Sequence, residues 1–218
     1  MTDQLQKLYL IFKNSPHGKW IVGFDDYLTL TKLISDHAIK NVLELGTGIG
    51  ASTAVMALAG AKVTTVEQFE KFVTIAKMLI PKDLQAKIEF YSEDVEVISS
   101  IPYQCLERFK KLPKGDWDLL VVDGPGPFED KNGFLVDLPG GDFVDLLGCT
   151  KKGTLFYIDG RKQMVKLIHR FFSKYFDVLE NTQNVTLLRR TDYKSNYEDG
   201  AIGISDRYHS AYKEQNYL

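Results

Sequence analysis

Residues 41–52, NVLELGTGIGAS, leave this chain few folds to choose from. A short apolar run, NVLEL, ends in three glycines, Gly46, Gly48 and Gly50, and small residues follow. Glycines at this spacing let a backbone turn sharply out of a strand and approach a ligand closely. A strand, a glycine turn and a helix in that order form the first unit of a doubly wound α/β sheet. The turn satisfies both the dinucleotide pattern G-x-G-x-x-A and a G-x-G-x-G pattern, so the rest of the chain must choose its ligand.

The rest repeats the alternation. Leu5, Leu8, Tyr9 and Phe12 lie on one side of an opening amphipathic helix, ended by Pro16 and Gly18. Tyr27, Leu30, Leu33, Ile34 and His37 predict a second helix, with Asp25 or Asp26 at its N-cap. After the glycine turn, ASTAVMALAG reads as a helix closed by Gly60, KVTTVE as a strand, and QFEKFVTIAKMLI as a helix with Phe69, Phe72, Val73 and Ala76 on its inner face. KIEFY is a third strand. Residues 95–111 have helical tendency broken at Pro102, which puts Glu107 on a solvated helix. DWDLLVVD and GTLFYID are strands, with a helix capped by Asp142 between them. RKQMVKLIHRFFSKYF is a long helix, with His169 as a partly buried ring. DVLEN and NVTLLRR lie too close for a crossover, so they form a hairpin and one strand is reversed. The expectation is α/β: a doubly wound, mostly parallel seven-stranded sheet with one antiparallel strand. Residues 1–40 add N-terminal helices, 41–190 form the ligand-binding domain, and 191–218 a polar tail or flap.

Charge and cysteine usage exclude other classes. The 218 residues carry net charge −2 with no evident Lys/Arg cluster, which disfavours nucleic acid. Cys105 and Cys149 match no metal or redox spacing and read as reduced, partly buried thiols. No apolar run approaches the length of a membrane span, and the start has no secretory pattern, so a cytoplasmic protein is expected.

Glu67 ends the second strand, where an acid accepts hydrogen bonds from ribose hydroxyls. Glu44, two residues before Gly46, separates the two ligands. A pyrophosphate is repelled by a carboxylate there, whereas the sulfonium and ammonium of S-adenosylmethionine suit it. The helices before the first strand and the terminal hairpin also argue against a full dinucleotide domain.

On these motifs the chain resembles class I S-adenosylmethionine-dependent methyltransferases, over roughly residues 41–190. VLELGTGIG resembles the family's first motif, VTTVE the second, IEFYSEDVEVI the third and WDLLVVDGPG the fourth. VVDGP followed by YIDGRK is similar to small methyltransferases of the O-methyltransferase-like and methyltransferase domain 24 type. The resemblance implies a Rossmann-like fold, S-adenosylmethionine as cofactor, and a cradle of Glu44, Gly46, Thr47, Gly48, Gly50, Ser52, Thr53, Glu67, Gln68, Asp94 and Val95. Asp94 falls on the adenine-contacting position, although SED is also an N-cap sequence. Asp123, at the fourth strand's end, stands beside the methionine part and is the candidate base or orienter of the acceptor. Metal-dependent relatives carry Asp-Asn after the fifth strand; Asp159-Gly160 lacks the Asn, and no metal is expected. DGPGPF fails the D-P-P-F spacing of DNA amino-methylases. The partner expectations are a small-molecule acceptor methylated at oxygen, a homodimer, no nucleic acid and no membrane. The alternatives are an aminopropyl transferase or nicotinamide oxidoreductase on the same fold, or a non-catalytic cofactor-binding protein.

Overall fold

Seven strands join in one sheet in the order β10-β11-β9-β6-β1-β2-β3. They are β1 (Asn41–Leu45), β2 (Lys62–Glu67), β3 (Ile88–Ser92), β6 (Leu119–Val122), β9 (Leu155–Asp159), β10 (Phe176–Asn181) and β11 (Val185–Arg190). The reversed strand is β11, antiparallel to β10 on one side and to β9 on the other. This is the mostly parallel sheet with one antiparallel strand expected from the sequence. The computed structural model describes residues 2–101, 104–126, 128–129, 135–136 and 138–193; for Trp20, 98–101, 104–105, 128–129 and 135–136 it describes the backbone alone. His209, Pro102, most of the connection after Gly126 and the tail beyond Tyr193 lie outside the described residues.

By contacts the chain divides into two compact units, residues 1–93 and 94–218. In the first, β1 pairs with β2 and β2 with β3, all parallel. Helix α1 (Thr2–Lys13) buries Leu5, Leu8 and Phe12, and α2 (Phe24–Asp36) buries Tyr27, Leu30, Leu33 and Ile34, as their periodicity predicts. Aromatic edges join them, Tyr9 to Phe24 at 5.5 Å and Tyr9 to Tyr27 at 5.4 Å between ring centres. The N-cap of α2 is Gly23; Asp25 and Asp26 fall in the first turn, where they complement the helix dipole without capping it. Helix α3 (Ala51–Leu58) is followed by Gly60 at φ +107°, the left-handed close expected there. Helix α4 (Glu70–Leu79) buries Val73 and Ala76, but Phe69 precedes the helix and is 48% exposed. Its ring lies under the Lys71 ammonium instead of in the core. A short helix α5 (Lys82–Gln85) leads into β3.

The second unit departs from the sequence reading at its start. Residues 95–109 are not helical: β4 (Val95–Ile101) and β5 (Gln104–Phe109) form an antiparallel hairpin. Val95, Val97, Ile98 and Ile101 favour a strand. A cross-strand charge pair fixes the register: Arg108 lies opposite Glu96, bonds it at 2.8 Å, and reaches Asp145 at 2.7 Å. Glu107, expected in solvent, is 3% exposed on β5.

Two-residue strands β7 (Phe128–Glu129) and β8 (Leu135–Val136) pair with each other. Helix α6 (Asp142–Leu147) starts after Gly141, so Asp142 is its first helical residue and not its cap. The Asp142 carboxylate accepts the Phe109 N–H at 3.0 Å instead, tying the hairpin to α6, and burial holds its pKa well above the usual range. Helix α7 (Lys162–Phe171) is shorter than expected, because Phe172 leaves the helix and a 3-10 turn, Ser173–Tyr175, precedes β10. His169 and Cys149 are exposed, not half-buried.

Candidate functional site

In the first unit the glycine turn after β1 takes the shape its composition demands. Gly46, Gly48 and Gly50 have φ of +94°, +51° and +85°, all in the left-handed region. Gly50 has a second reason to lack a side chain: a Cβ there would stand 2.8 Å from the Ala76 Cβ and 2.8 Å from the Ile80 Cδ1. The turn is held from β2, where the Val66 carbonyl accepts the Gly46 N–H at 2.8 Å. The Glu67 carboxylate accepts the Gly48 N–H at 2.8 Å and the Phe69 N–H at 3.1 Å. Glu67 is 6% exposed. Burial raises its pKa, and the surrounding backbone N–H groups, Gln68 and Thr47 among them, oppose the rise. The acid that the sequence assigned to a ribose diol is an anchor of the glycine turn.

Glu44 is placed differently from the sequence picture. It is fully buried under the turn. Ser52 Oγ donates to its Oε1 at 2.6 Å, and Thr53 Oγ1 and Thr65 Oγ1 donate to its Oε2 at 2.5 and 2.7 Å. Thr65 and Thr47 hydroxyls are 2.5 Å apart. A hydroxyl has one proton. Thr65 gives its proton to Glu44, so Thr47 is the donor to Thr65. Burial pushes the Glu44 carboxyl up to about 7, against the three hydroxyl bonds, and the nearby Glu67 charge pushes the same way. Ser52 and Thr53 thus turn their side chains inward. The N-cap of α3 is Gly50, so no side chain caps the first turn of α3 and its N–H groups remain for an anion. Thr65 did not figure among the expected residues. The parallel register that places it opposite Glu44 was the signal that could have found it.

In the second unit, β6 and β9 pair in parallel, and Asp123 and Asp159 lie at their carboxyl ends. Asp123 is exposed, while Gly124 and Pro125 behind it are buried and joined by a cis peptide bond. The Asp123 carbonyl accepts a hydrogen bond from Arg161 Nη2, at the N-cap of α7. A narrow crevice behind this turn is lined by Glu107, Val122, Gly124, Pro125, Arg161 and Met164. Arg161 and Glu107 were not assigned from the sequence; YIDGRK marked only the neighbourhood of the first, and the helical reading hid the second. Asp94 is exposed and bonds the Lys110 ammonium at 2.9 Å, and its carbonyl accepts the Lys110 N–H at 2.9 Å. Val95 begins β4, so no helix follows for Asp94 to cap. Among the described residues no group of three or more His, Cys, Asp or Glu is placed to hold a metal ion. No described helix is long and apolar enough to cross a membrane.

Neither a family model nor a curated relative matches the sequence. Solved structures do match. An S-adenosylhomocysteine-bound methyltransferase from Podospora anserina superposes with TM-score 0.61 at 15% identity, covering 88% of this chain and 89% of its own. An O-methyltransferase of tomaymycin synthesis from Streptomyces achromogenes, in complex with S-adenosylmethionine, gives 0.58 at 14%, covering 86% and 89%. A tRNA (m1A58) methyltransferase from Aquifex aeolicus gives 0.53 at 17%, covering 85% and 76%. The chain has the Rossmann-like fold of class I S-adenosylmethionine-dependent methyltransferases. At such identities the likeness is one of fold, and a fold of this kind hosts small-molecule and nucleic-acid acceptors alike.

Proposed function

We propose that this chain is an S-adenosylmethionine-dependent methyltransferase acting on a small-molecule acceptor at oxygen. The observation that carries the reading is the 2.8 Å bond from the Gly48 N–H to Glu67. It fixes a left-handed glycine turn against a buried strand-end acid, which suits a ribosyl ligand without phosphates. The S-adenosylmethionine- and S-adenosylhomocysteine-bound neighbours support it.

Bound at this turn, S-adenosylmethionine supplies a methyl carbon already activated by its sulfonium. Glu67, with Gln68 beside it, accepts hydrogen bonds from the ribose hydroxyls. The turn at Gly46, Thr47, Gly48 and Gly50 and the first turn of α3, where Ser52 and Thr53 lie, receive the methionine carboxylate through backbone N–H groups. Glu44 acts through its field on the cationic groups, since its oxygens are engaged by hydroxyls. Asp94 and Val95 serve the adenine by the family resemblance. Asp123 would orient the acceptor hydroxyl and take its proton as that oxygen accepts the methyl group. No metal is assigned, because Gly160 stands where metal-dependent relatives place an Asn after Asp159.

Calorimetry with S-adenosylhomocysteine and with NAD tests the cofactor, together with mass spectrometry of the copurified ligand. Binding of S-adenosylhomocysteine with no heat from NAD is expected. The reverse result would end the reading. Turnover on a metabolite panel should survive EDTA.

A further inference from the structure

Helix α7 carries a surface the sequence reading passed over. From Arg161 to Lys174 the chain has five Lys or Arg and no Asp or Glu, in a protein of net charge −2. Met164, Leu167, Ile168 and Phe171 are buried. Lys162, Lys166, His169 and Arg170 are exposed on the other side, and Lys174 is exposed in the 3-10 turn that follows. Elsewhere in this unit Arg108, Lys110, Lys151, Lys152 and Arg189 meet acids at 2.7, 2.9, 2.9, 2.9 and 3.0 Å, while exposed Lys111 and Lys114, which also form no ion pair among the described residues, lie on no helix. Among the described residues Lys162, Lys166 and Arg170 form no ion pair. Like charges four residues apart destabilise a helix slightly, so an unpaired row is a local cost that an acid at any of these positions would remove.

We infer that the Lys162–Lys166–Arg170 row docks an acidic α-helix of a partner protein. The match is one of spacing and sign. Residues four apart on one helix are separated by about 6 Å along its axis and share a face. Asp or Glu at every fourth position of a second helix repeats the same step, so each cation meets one carboxylate along an antiparallel or parallel approach. Two other anionic partners fit less well. The apolar side of α7 is buried in the core, so the helix has nothing to insert into a bilayer. The row is about 12 Å long between Lys162 and Arg170, and no exposed aromatic residue lies on α7 for bases to stack on. A long nucleic acid would run past it onto a protein of net negative charge.

The test uses the full chain and a fluorescein-labelled helical peptide of Ala and Gln with Glu at every fourth position. An isomer of identical composition has its Glu residues spread around the helix. Anisotropy at low salt should show the aligned isomer binding about fivefold or more tightly than the spread one, with affinity falling as salt screens the row. The variant Lys162→Glu, Lys166→Glu, Arg170→Glu should weaken the aligned peptide about tenfold or more. The neutral set Lys162→Gln, Lys166→Gln, Arg170→Gln should lose several-fold and serves if the reversed set fails to fold. Equal binding of the two isomers overturns the inference, as does unchanged binding by the neutral variant. Tighter, variant-sensitive binding of an oligouridylate assigns the row to nucleic acid, and tighter binding to phosphatidylserine vesicles assigns it to a membrane surface; either result also overturns the inference.

Discussion

Glu67 ends β2 in the first unit and Asp123 follows β6 in the second, and they live in different surroundings. Glu67 is 6% exposed, with its carboxylate fixed by backbone N–H groups on two sides. Asp123 is exposed, on a turn whose backbone is held by Arg161. The first unit therefore presents its carboxylates as fixed parts of a buried frame. The second presents an exposed acid after its strand.

The sharpest way to break that comparison is at Gly50. A side chain there meets both a left-handed backbone and the Ala76 and Ile80 side chains. Gly50→Ala should cost about 2–5 kcal/mol of stability in urea denaturation, adding backbone strain to overpacking. Gly48→Ala, at φ +51° with no atom within 4 Å of its Cβ, should cost only the strain, about 1–2 kcal/mol. Equal costs would mean that the frame is not close-packed at α4.

Next in size is Glu44. Its folded pKa lies near 7 against an ordinary 4.5. A raised carboxyl pKa means that the folded state holds the proton more tightly. The stability this contributes is complete below 4.5 and is lost as pH rises through about 7. Wild type should therefore lose about 3 kcal/mol relative to Glu44→Gln across that window, read by denaturation at a series of pH values. Parallel pH curves for the two proteins would place the Glu44 charge in a wetter site than the frame shows.

On the acceptor side, Asp123→Asn should keep the fold and the affinity for S-adenosylhomocysteine while turnover on the true acceptor falls roughly 10²-fold. Normal turnover would remove Asp123 from the chemistry and leave Asp159 as the next candidate. The smallest effect is Glu67→Gln, which keeps the shape of the anchor and removes its charge. S-adenosylhomocysteine binding should weaken by about 1–3 kcal/mol. Glu70→Gln, exposed in the first turn of α4, should leave it unchanged.

The two units also differ in how far their sequences could be read. In the cradle, bonded groups lie 8, 9, 18, 19 and 21 residues apart, within one strand–turn–helix–strand passage. Glycine spacing and strand ends suffice to place them there. In the second unit Phe109 meets Asp142, Arg108 meets Asp145 and Arg161 meets Asp123 across 33, 37 and 38 residues. No local pattern announces those partners. The hairpin at 95–109 was missed because Glu96, Glu107 and Arg108 are good helix formers, while the β-branched Val95, Val97, Ile98 and Ile101 argue the other way. Tertiary pairing decided between them. Asp142 shows the same limit: its position looked like a cap, and a distant N–H claimed its carboxylate.

The hydroxyls around Glu44 amount to a hydration shell made of protein. Thr65 belongs to β2, Ser52 and Thr53 to α3, and Glu44 itself to β1. Each hydroxyl does for the anion what a water molecule does in solution, but none of them can diffuse away or exchange. The shell exists only while two strands and a helix are assembled together. Loosening α3 strips the carboxylate of two of its three hydroxyl donors at once, Ser52 and Thr53, before bulk water can replace them. A carboxyl group in the interior thus joins three consecutive elements, so that they assemble or come apart as one cooperative piece.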